Sequence, residues 1–308
     1  MFHGTMTALV TPFVAGAFDE EAFRMHIERQ ILAGVQGIVP AGTTGEAATL
    51  SFAEHKRVIE VAVDQAQGRV AVIAGTGSNN TQESIELTQA AKDLGADAAL
   101  LISPYYNKPS QEGIYQHYKA VADAVSFPQI LYNVPGRTNS NLSPETVARL
   151  AKVDNIVAIK DATADMEQLT LTMALCDDQL VFLSGDDATV LPFMAIGGMG
   201  VISVVSNLVP RSMVELTTSM RNYQVEIARD LHFSLKDLNA IMFVESNPVP
   251  VKAACAMLGW MRNELRLPLV PLAPQYEQPL RQALIDFDSG FDFLVLNDDV
   301  DIDSFAKE

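Results

Sequence analysis

Length, composition and charge describe one large acidic chain and argue against several classes of function. The chain has 308 residues, 48% hydrophobic and 19% charged, which suits one large folded domain with or without an appendage. No apolar run reaches the roughly 18 to 20 residues that span a bilayer, and the N-terminus lacks a signal-peptide pattern. The formal net charge of -17 opposes binding to nucleic acid or to an anionic membrane, because both are polyanions. We therefore expect a cytoplasmic protein whose partner is a small molecule.

The cysteines and histidines do not indicate a metal or a disulfide. Cys176 and Cys255 each lie in an apolar stretch of predicted helix, which favours buried free thiols. The five histidines show no metal-ligand spacing, and the H-E-x-x-H, C-x-x-C and G-x-S-x-G motifs are absent. We expect no metal and no cofactor.

Short apolar or β-branched runs alternate with stretches of helical period, as in a parallel sheet with crossover helices. We predict strands at 5–9, 37–40, 70–75, 98–102, 129–133, 156–160, 180–184 and 201–205. We predict helices between them, including 20–32, 53–67, 81–94, 112–125 and 144–150. Ser51, Ser143, and either Asn80 or Thr81 are the predicted N-terminal caps. Eight such units indicate an α/β fold, a closed (β/α)8 TIM barrel.

An open, doubly wound sheet is the main alternative for this alternation. Its nucleotide-binding versions carry G-x-G-x-x-G after the first strand. That motif is missing, and the glycines at 75–77 and 197–200 fit tight turns better than a phosphate site. The barrel is therefore favoured.

The alternation stops near residue 223, and helical patterns follow at 227–244, 251–258 and 276–287. We predict that residues 1–224 form the barrel, which contains the active site. Residues 225–290 would form a C-terminal helical region, and residues 291–308 an acidic tail. The tail has six acidic residues against one lysine, a composition typical of a mobile segment. The short apolar run at 291–296 within this tail is able to pack against the rest of the protein.

Polar residues follow the predicted strands at their carboxyl ends, where a barrel of this kind has its active site. The Gly-Thr-Thr-Gly-Glu motif at 42–46 offers hydroxyls and backbone N–H groups to a small carboxylate, or forms an ordinary turn. Lys160 ends an otherwise apolar strand. Lysines are rarely buried, and a nucleophilic one needs surroundings that lower its pKa from about 10.4. The alternatives are a lysine that reaches out to solvent or pairs with Asp161. We predict Lys160 as a nucleophile.

Six motifs together carry a family resemblance. They are G-T-T-G-E at 42–46, P-Y-Y at 104–106, Y-N-V-P at 132–135, I-K at 159–160, S-G-D at 184–186 and V-E-S-N-P-V-P-V-K at 244–252. On these motifs the chain resembles the family of dihydrodipicolinate synthases and N-acetylneuraminate lyases over nearly all of 1–290. The resemblance implies a lyase in which pyruvate forms a Schiff base and condenses with L-aspartate 4-semialdehyde. This reaction is the first committed step of the diaminopimelate route to lysine.

The resemblance also implies roles for individual residues. Lys160 would form the Schiff base, and Tyr132, Thr43 and Tyr106 would relay protons, with Tyr106 reaching across a dimer contact. Thr44, with nearby backbone N–H groups, would contact the carboxylate of pyruvate, and Gly185 and the backbone of Ile202 would line the pocket of Lys160.

Arg137 favours the synthase over the alternative, a sugar-acid aldolase of the N-acetylneuraminate lyase type. A guanidinium at the rim suits the carboxylate of aspartate semialdehyde, whereas a sugar acid calls for hydroxyl-binding groups. The Thr43-Thr44 pair points the same way, because sialic-acid lyases typically have serine first. A non-catalytic protein on this scaffold would be expected to lack Lys160 or Tyr132, and both are present.

Regulated members of the family bind lysine at the tight contact of a homotetramer that is a dimer of dimers. The resemblance implies the same assembly here and an allosteric lysine site. Phe52 replaces a histidine of some inhibited members, so we expect inhibition of altered affinity. The lysine site would comprise Ala47, Ala48, His55, Asn79, Glu83 and Tyr105.

Overall fold

The computed structural model describes residues 2–296. Within this range eight parallel strands close into a barrel in which each strand pairs with the next and the last pairs with the first. The strands are β1 Gly4–Ala8, β2 Gly37–Val39, β3 Ala71–Gly75, β4 Ala98–Ile102, β5 Gln129–Asn133, β6 Ile156–Asp161, β7 Val181–Ser184 and β8 Gly200–Ser203. The predicted (β/α)8 barrel is confirmed.

Helices follow the strands and cover the outside of the barrel. A short antiparallel hairpin precedes the first helix and was not predicted. Its two strands, Phe13–Val14 and Ala17–Phe18, have two residues each. The helices of the barrel are α1 Glu20–Leu32, α2 Phe52–Ala66, α3 Thr81–Asp93, α4 Gln111–Ala124, α5 Pro135–Thr138, α6 Pro144–Leu150, α7 Met166–Cys176, α8 Val190–Ala195 and α9 Pro210–Arg221.

The predicted caps set the starts of three of these helices. Ser51 accepts from the Glu54 N–H while the Glu54 carboxylate accepts from the Ser51 N–H, a complete capping box for α2. Asn80 caps α3, and Ser143 caps α6 ahead of Pro144. These short-range signals are local, which explains why the sequence reveals them.

The last strand is shorter than predicted. Strand β8 ends at Ser203, and the backbone N–H groups of Val204 and Val205 donate to Asp187 Oδ2 at 2.9 and 3.0 Å. The N–H groups of these two residues therefore bind a side chain instead of continuing the strand. Asp187 lies 17 and 18 positions before them in the chain.

The C-terminal region is helical, as the sequence indicated, and its predicted first helix is divided in two. Its helices are α10 Val225–Ser234, α11 Lys236–Ile241, α12 Val249–Met257 and α13 Pro274–Asp286. Their buried side chains join those of the barrel in one apolar cluster, which includes Val10 and Val201 beside Leu238 and Leu280. The region thus packs directly on the barrel.

The acidic tail predicted at 291–308 lies mostly outside the described residues. Its first part, 291–296, alternates in exposure, with Asp292, Leu294 and Leu296 facing the protein. Asp292 Oδ2 accepts from the backbone N–H of Ser212 at 2.7 Å, in the first turn of α9. Helix α9 has no side-chain cap from Val209, the residue before it, so Asp292 serves as its cap from a distance.

Among the described residues, no helix has the length and apolar character needed to cross a membrane.

Candidate active site

Lys160 lies at the carboxyl end of β6 and is buried, with 5% of its surface exposed. In the barrel register it stands beside Tyr132 on β5. Its Nζ is 4.2 Å from the centroid of the Tyr132 ring. The lysine therefore points into the barrel and neither reaches solvent nor pairs with Asp161.

Burial lowers the pKa of Lys160 to about 8. Desolvation is the largest cause, because the apolar surroundings disfavour the ammonium ion. The Arg137 cation lowers this pKa further, while the Asp187 carboxylate opposes the shift. With a pKa near 8, about a tenth of Lys160 is neutral at pH 7, compared with under 0.1% of a free lysine. The side chain is thus prepared to act as a nucleophile.

The Tyr132 hydroxyl is buried in the same site. Burial raises its pKa to about 12, and the nearby Arg137 charge and the Thr43 hydroxyl act against this rise. At neutral pH the phenol keeps its proton. It can therefore donate that proton to a neighbouring oxygen and recover it through Thr43.

The 42–46 loop follows β2 and is folded by its own backbone. The N–H groups of Gly45 and Ala47 both donate to the Gly42 carbonyl, at 3.1 and 3.2 Å. Thr43 is half-buried and Thr44 is buried. The turn presents both threonine hydroxyls at the catalytic end of the barrel.

Asn247 reaches this loop from the C-terminal region. Its Nδ2 donates to Thr44 Oγ1 at 2.9 Å, and its backbone carbonyl accepts from Arg137 at 3.3 Å. Asn247 Oδ1 is buried without a hydrogen-bond partner in the described range 2–296. The sequence placed Asn247 in a family motif, but it gave no reason to assign it to the site.

Gly185 lies against the Lys160 side chain, and Ile202 is part of the barrel interior. A Cβ atom on Gly185 would lie 2.9 Å from Lys160 Cε and 2.8 Å from the Ala162 Cβ, so a larger residue would displace the lysine. Ile202 on β8 is fully buried in the interior cluster that also contains Tyr132. The roles predicted for both residues stay predictions.

Asp187 is a second residue that sequence reasoning missed. Its carboxylate is buried, and burial raises its pKa. One oxygen accepts the two backbone N–H groups after β8, and the other has no hydrogen-bond partner among the residues described. The one available signal was its position after a predicted strand, in the Ser-Gly-Asp-Asp sequence at 184–187.

The structure places Tyr106 apart from the other members of the predicted relay. It lies in the loop after β4, with a backbone φ of 71° and 89% of its surface exposed. A single subunit thus presents this tyrosine outward rather than to its own Thr43.

The residues of the predicted lysine site lie near the same exposed loop. Asn79 Nδ2 donates to the Tyr105 carbonyl at 3.1 Å, which links two of them. Glu83, at the start of α3, is half-buried and accepts from the Ser78 hydroxyl at 2.8 Å. One Glu83 oxygen therefore already has a partner.

The remaining members of that predicted site belong to the turn and helix after β2. His55 is buried, and its Nε2–H donates to the Gly75 carbonyl at 2.7 Å, which leaves Nδ1 for a ligand. Burial lowers the His55 pKa. Ala47 is half-buried, Ala48 is exposed, and Phe52 is half exposed.

The model of the Dihydrodipicolinate synthetase family matches residues 1–286. The chain belongs to this family. The dihydrodipicolinate synthetase match confirms the resemblance read from the six motifs. A 4-hydroxy-tetrahydrodipicolinate synthase from Citrifermentans bemidjiense is 58% identical over 272 residues, which are 88% of this chain and 94% of the relative.

Solved structures of dihydrodipicolinate synthases share the fold. The chloride-inhibited enzyme from Acinetobacter baumannii, complexed with pyruvate, is 47% identical with a TM-score of 0.92 and covers 95% of this chain and 100% of that one. The enzyme from Cyanidioschyzon merolae with lysine bound is 39% identical with a TM-score of 0.90, over 94% and 99% of the two chains. A monomeric variant of the enzyme is 40% identical with a TM-score of 0.91, over 94% and 97%.

Proposed function

We propose that this chain condenses pyruvate with L-aspartate 4-semialdehyde to 4-hydroxy-tetrahydrodipicolinate, the first committed step of lysine biosynthesis through diaminopimelate. The observation that carries the proposal is the buried Lys160, whose pKa of about 8 makes it a nucleophile beside the Tyr132 hydroxyl. The synthase relative named above is 58% identical to this chain, which favours the same reaction.

The first half of the reaction takes place on Lys160. Its neutral amine attacks the keto carbon of pyruvate, and loss of water from the carbinolamine gives a protonated imine. Tyr132 supplies the proton that the departing hydroxyl needs, and Thr43 passes a proton back to it. The positive nitrogen then draws electrons from the methyl group, which loses a proton and becomes an enamine.

The second half joins the two substrates. The enamine carbon attacks the aldehyde carbon of the second substrate, and the aldehyde oxygen takes up a proton. The Thr44 hydroxyl and the loop N–H groups hold the pyruvate carboxylate, while Gly185 and Ile202 bound the pocket. Ring closure by the substrate amine then releases the product and returns Lys160 to its free form.

Arg137 favours aspartate semialdehyde as the second substrate. Its exposed guanidinium lies at the rim, close enough to lower the pKa of both Lys160 and Tyr132, and it can hold a carboxylate in two hydrogen bonds. A sugar acid such as N-acetylneuraminate presents hydroxyls there instead, so this alternative is disfavoured.

Borohydride reduction tests the proposal. We expect it to trap pyruvate on Lys160, located by mass spectrometry of the digested protein, and we expect Lys160→Ala to abolish trapping. A label on another lysine would refute the assignment. Steady-state rates with aspartate semialdehyde and with N-acetylneuraminate separate the two enzymes, since preferential turnover of the sugar acid would establish the lyase.

We also propose that the enzyme assembles as a homotetramer. Two separate exposed surfaces are available to a second copy, one with Tyr105, Tyr106 and Phe52, and one on α7, α8 and the turn after α8. The second surface consists of apolar side chains, namely Leu171, Leu175, Ile196 and Met199. The monomeric relative makes sedimentation of this chain the direct measurement of its assembly.

Lysine is the proposed inhibitor at the first of these surfaces. Glu83 has an oxygen left for an ammonium group, and the Asn79 side chain, four positions earlier in the chain, donates to the Tyr105 carbonyl. The lysine-bound relative supports this placement. Phe52 offers an apolar ring in place of a polar contact, so binding should be weaker than at a site with histidine.

We assign the catalytic role to the barrel, residues 1–224, and a supporting role to 225–290. We further place the enzyme in the cytoplasm, where Cys176 and Cys255, both buried and free, remain reduced.

A further inference from the structure

A buried ion pair lies directly behind the pyruvate-binding loop. Lys252 Nζ donates to Glu46 Oε1 at 2.5 Å, and both side chains are 0% exposed. The other carboxylate oxygen of Glu46 accepts from the backbone N–H of Arg266 at 3.1 Å. Removing two charges from water can cost more than their attraction returns, so a buried ion pair is weak evidence for a role in stability alone.

Glu46 is the residue that ends the 42–46 loop. Its backbone has a φ of 55°, a left-handed conformation that is uncommon outside glycine. Its N–H donates to the Thr43 carbonyl at 3.1 Å, and its own carbonyl accepts from the Thr49 N–H at 3.0 Å. A fixed Glu46 side chain therefore holds the backbone that carries Thr43 and Thr44.

Aromatic and cationic groups pack around the pair. Lys252 Nζ is 4.1 Å from the centroid of the Phe13 ring, and the Arg266 guanidinium is 4.2 Å from the same centroid. The Arg266 side chain is itself held by the Glu54 carboxylate at 2.6 Å. The Lys252 ammonium consequently has little freedom to move.

Lys252 belongs to a segment that touches the loop at two points. Its helix, α12, is buried along its whole length, and Asn247 lies just before it. Asn247 contacts the Thr44 hydroxyl, while Lys252 contacts the Glu46 carboxylate. The C-terminal region thus fixes both the side chain that meets pyruvate and the backbone beside it.

We propose that Lys252 is a positioning residue for pyruvate, which acts through Glu46 to hold the Thr44 hydroxyl and the loop N–H groups where the carboxylate binds. This inference rests on the proposed function, because it assumes that pyruvate occupies the loop. It gives the helical region a part in the reaction, although Lys252 does not touch the substrate.

The test compares wild type with the double variant Glu46→Gln/Lys252→Met, which removes both charges and leaves neither unpaired. We expect the KM for pyruvate to rise at least threefold while the KM for aspartate semialdehyde stays within twofold of wild type. Pyruvate should also be needed at proportionately higher concentration for half-maximal borohydride trapping. A KM for pyruvate that rises less than threefold would overturn the proposal.

Thr217→Val provides the matched structural control. Thr217 is fully buried on α9, and its hydroxyl lies 3.0 Å from the hydroxyl of Thr5 at the start of β1, at the end of the barrel opposite to the loop. This variant should lower the melting temperature and leave both KM values unchanged, so an equal rise in the KM for pyruvate would refute a specific role for Lys252.

If the double variant does not fold, the single variant Lys252→Met, which also removes the contact to Glu46, gives the same comparison. The same threefold criterion applies to it. Failure of wild type to turn over pyruvate would instead refute the proposed function, so the two failures are distinguishable.

Discussion

The lowered pKa of Lys160 predicts that this buried lysine destabilises the folded protein at neutral pH. The perturbation is Lys160→Met, which keeps an unbranched side chain of similar length and removes the charge. Burial holds the Lys160 pKa at about 8, against 10.5 for the unperturbed group. This difference corresponds to a penalty of about 3 kcal/mol when the lysine must be protonated in the folded state.

The sign of the effect depends on which state binds more protons. Between pH 8 and 10.5 the unfolded chain binds a proton that folded Lys160 does not, so the stability of the wild type rises with pH in this window. At pH 7 the Met variant should be the more stable protein. Its advantage should shrink by about 2 kcal/mol between pH 7 and pH 10, since the penalty is relieved as Lys160 is neutralised.

Urea denaturation followed by circular dichroism measures the free energy of unfolding of both proteins. Equal subunit concentrations are required, because association contributes to apparent stability. Other titrating groups change both proteins alike, and the difference between them isolates Lys160. The exposed Lys152, changed to Met, is the control for replacing a lysine at the surface.

A difference between wild type and Lys160→Met that stays constant from pH 7 to pH 10 would refute this reasoning. It would mean that Lys160 has an ordinary pKa in the folded protein. The lysine would then need another source of activation, and the apolar pocket would not account for its reactivity.

Three further predictions concern assembly, regulation and the C-terminal segment. Mixing inactive Tyr106→Phe and Lys160→Ala subunits should restore roughly a quarter of wild-type activity, because half of randomly formed dimers are mixed and have one complete site. Glu83→Ala should abolish inhibition by millimolar lysine at fixed pyruvate, since the ammonium group loses its carboxylate partner. Asp292→Ala should lower the melting temperature by about 2 °C, because the first turn of α9 loses its cap, which is worth about 1 kcal/mol.

Each of these has a control and a contrary outcome. No recovery of activity, despite proven subunit exchange, would rule out a relay shared between subunits. Gln82→Ala, at an exposed neighbouring position, should keep lysine inhibition, and wild type that is insensitive to lysine would reject the regulatory proposal. Asp286→Ala should leave the melting temperature unchanged, and an equal fall in both variants would show that Asp292 is not a specific cap.

Much of the barrel could be read from the sequence because its signals are local. Apolar runs of strand length alternate with helical patterns, and the starts of α2, α3 and α6 are marked by Ser51, Asn80 and Ser143 within three residues of the groups they cap. The 42–46 loop and Lys160 were likewise visible, because the fold places strand ends at one rim and because lysine after an apolar strand is unusual.

Contacts between distant parts of the chain could not be read in this way. Asp187 shortens β8 through two backbone N–H groups, and Asp292 caps α9 from 80 positions away. Neither residue differs locally from other acidic residues of this chain. Their roles follow from which helix end or strand end they meet after folding.

The residues and their order alone were enough to predict the barrel, which is confirmed, and to propose Lys160 and the 42–46 loop as parts of the site, because period, capping and strand-end chemistry are properties of short segments. Only the tertiary structure decided how reactive and how fixed these groups are. Lys160 has its lowered pKa because the barrel encloses it, and the 42–46 loop is held by Asn247 and Lys252, which are more than 200 positions away from Thr44 and Glu46. Desolvation and long-range pairing depend on what surrounds a group in space, and that information exists only once the chain is folded.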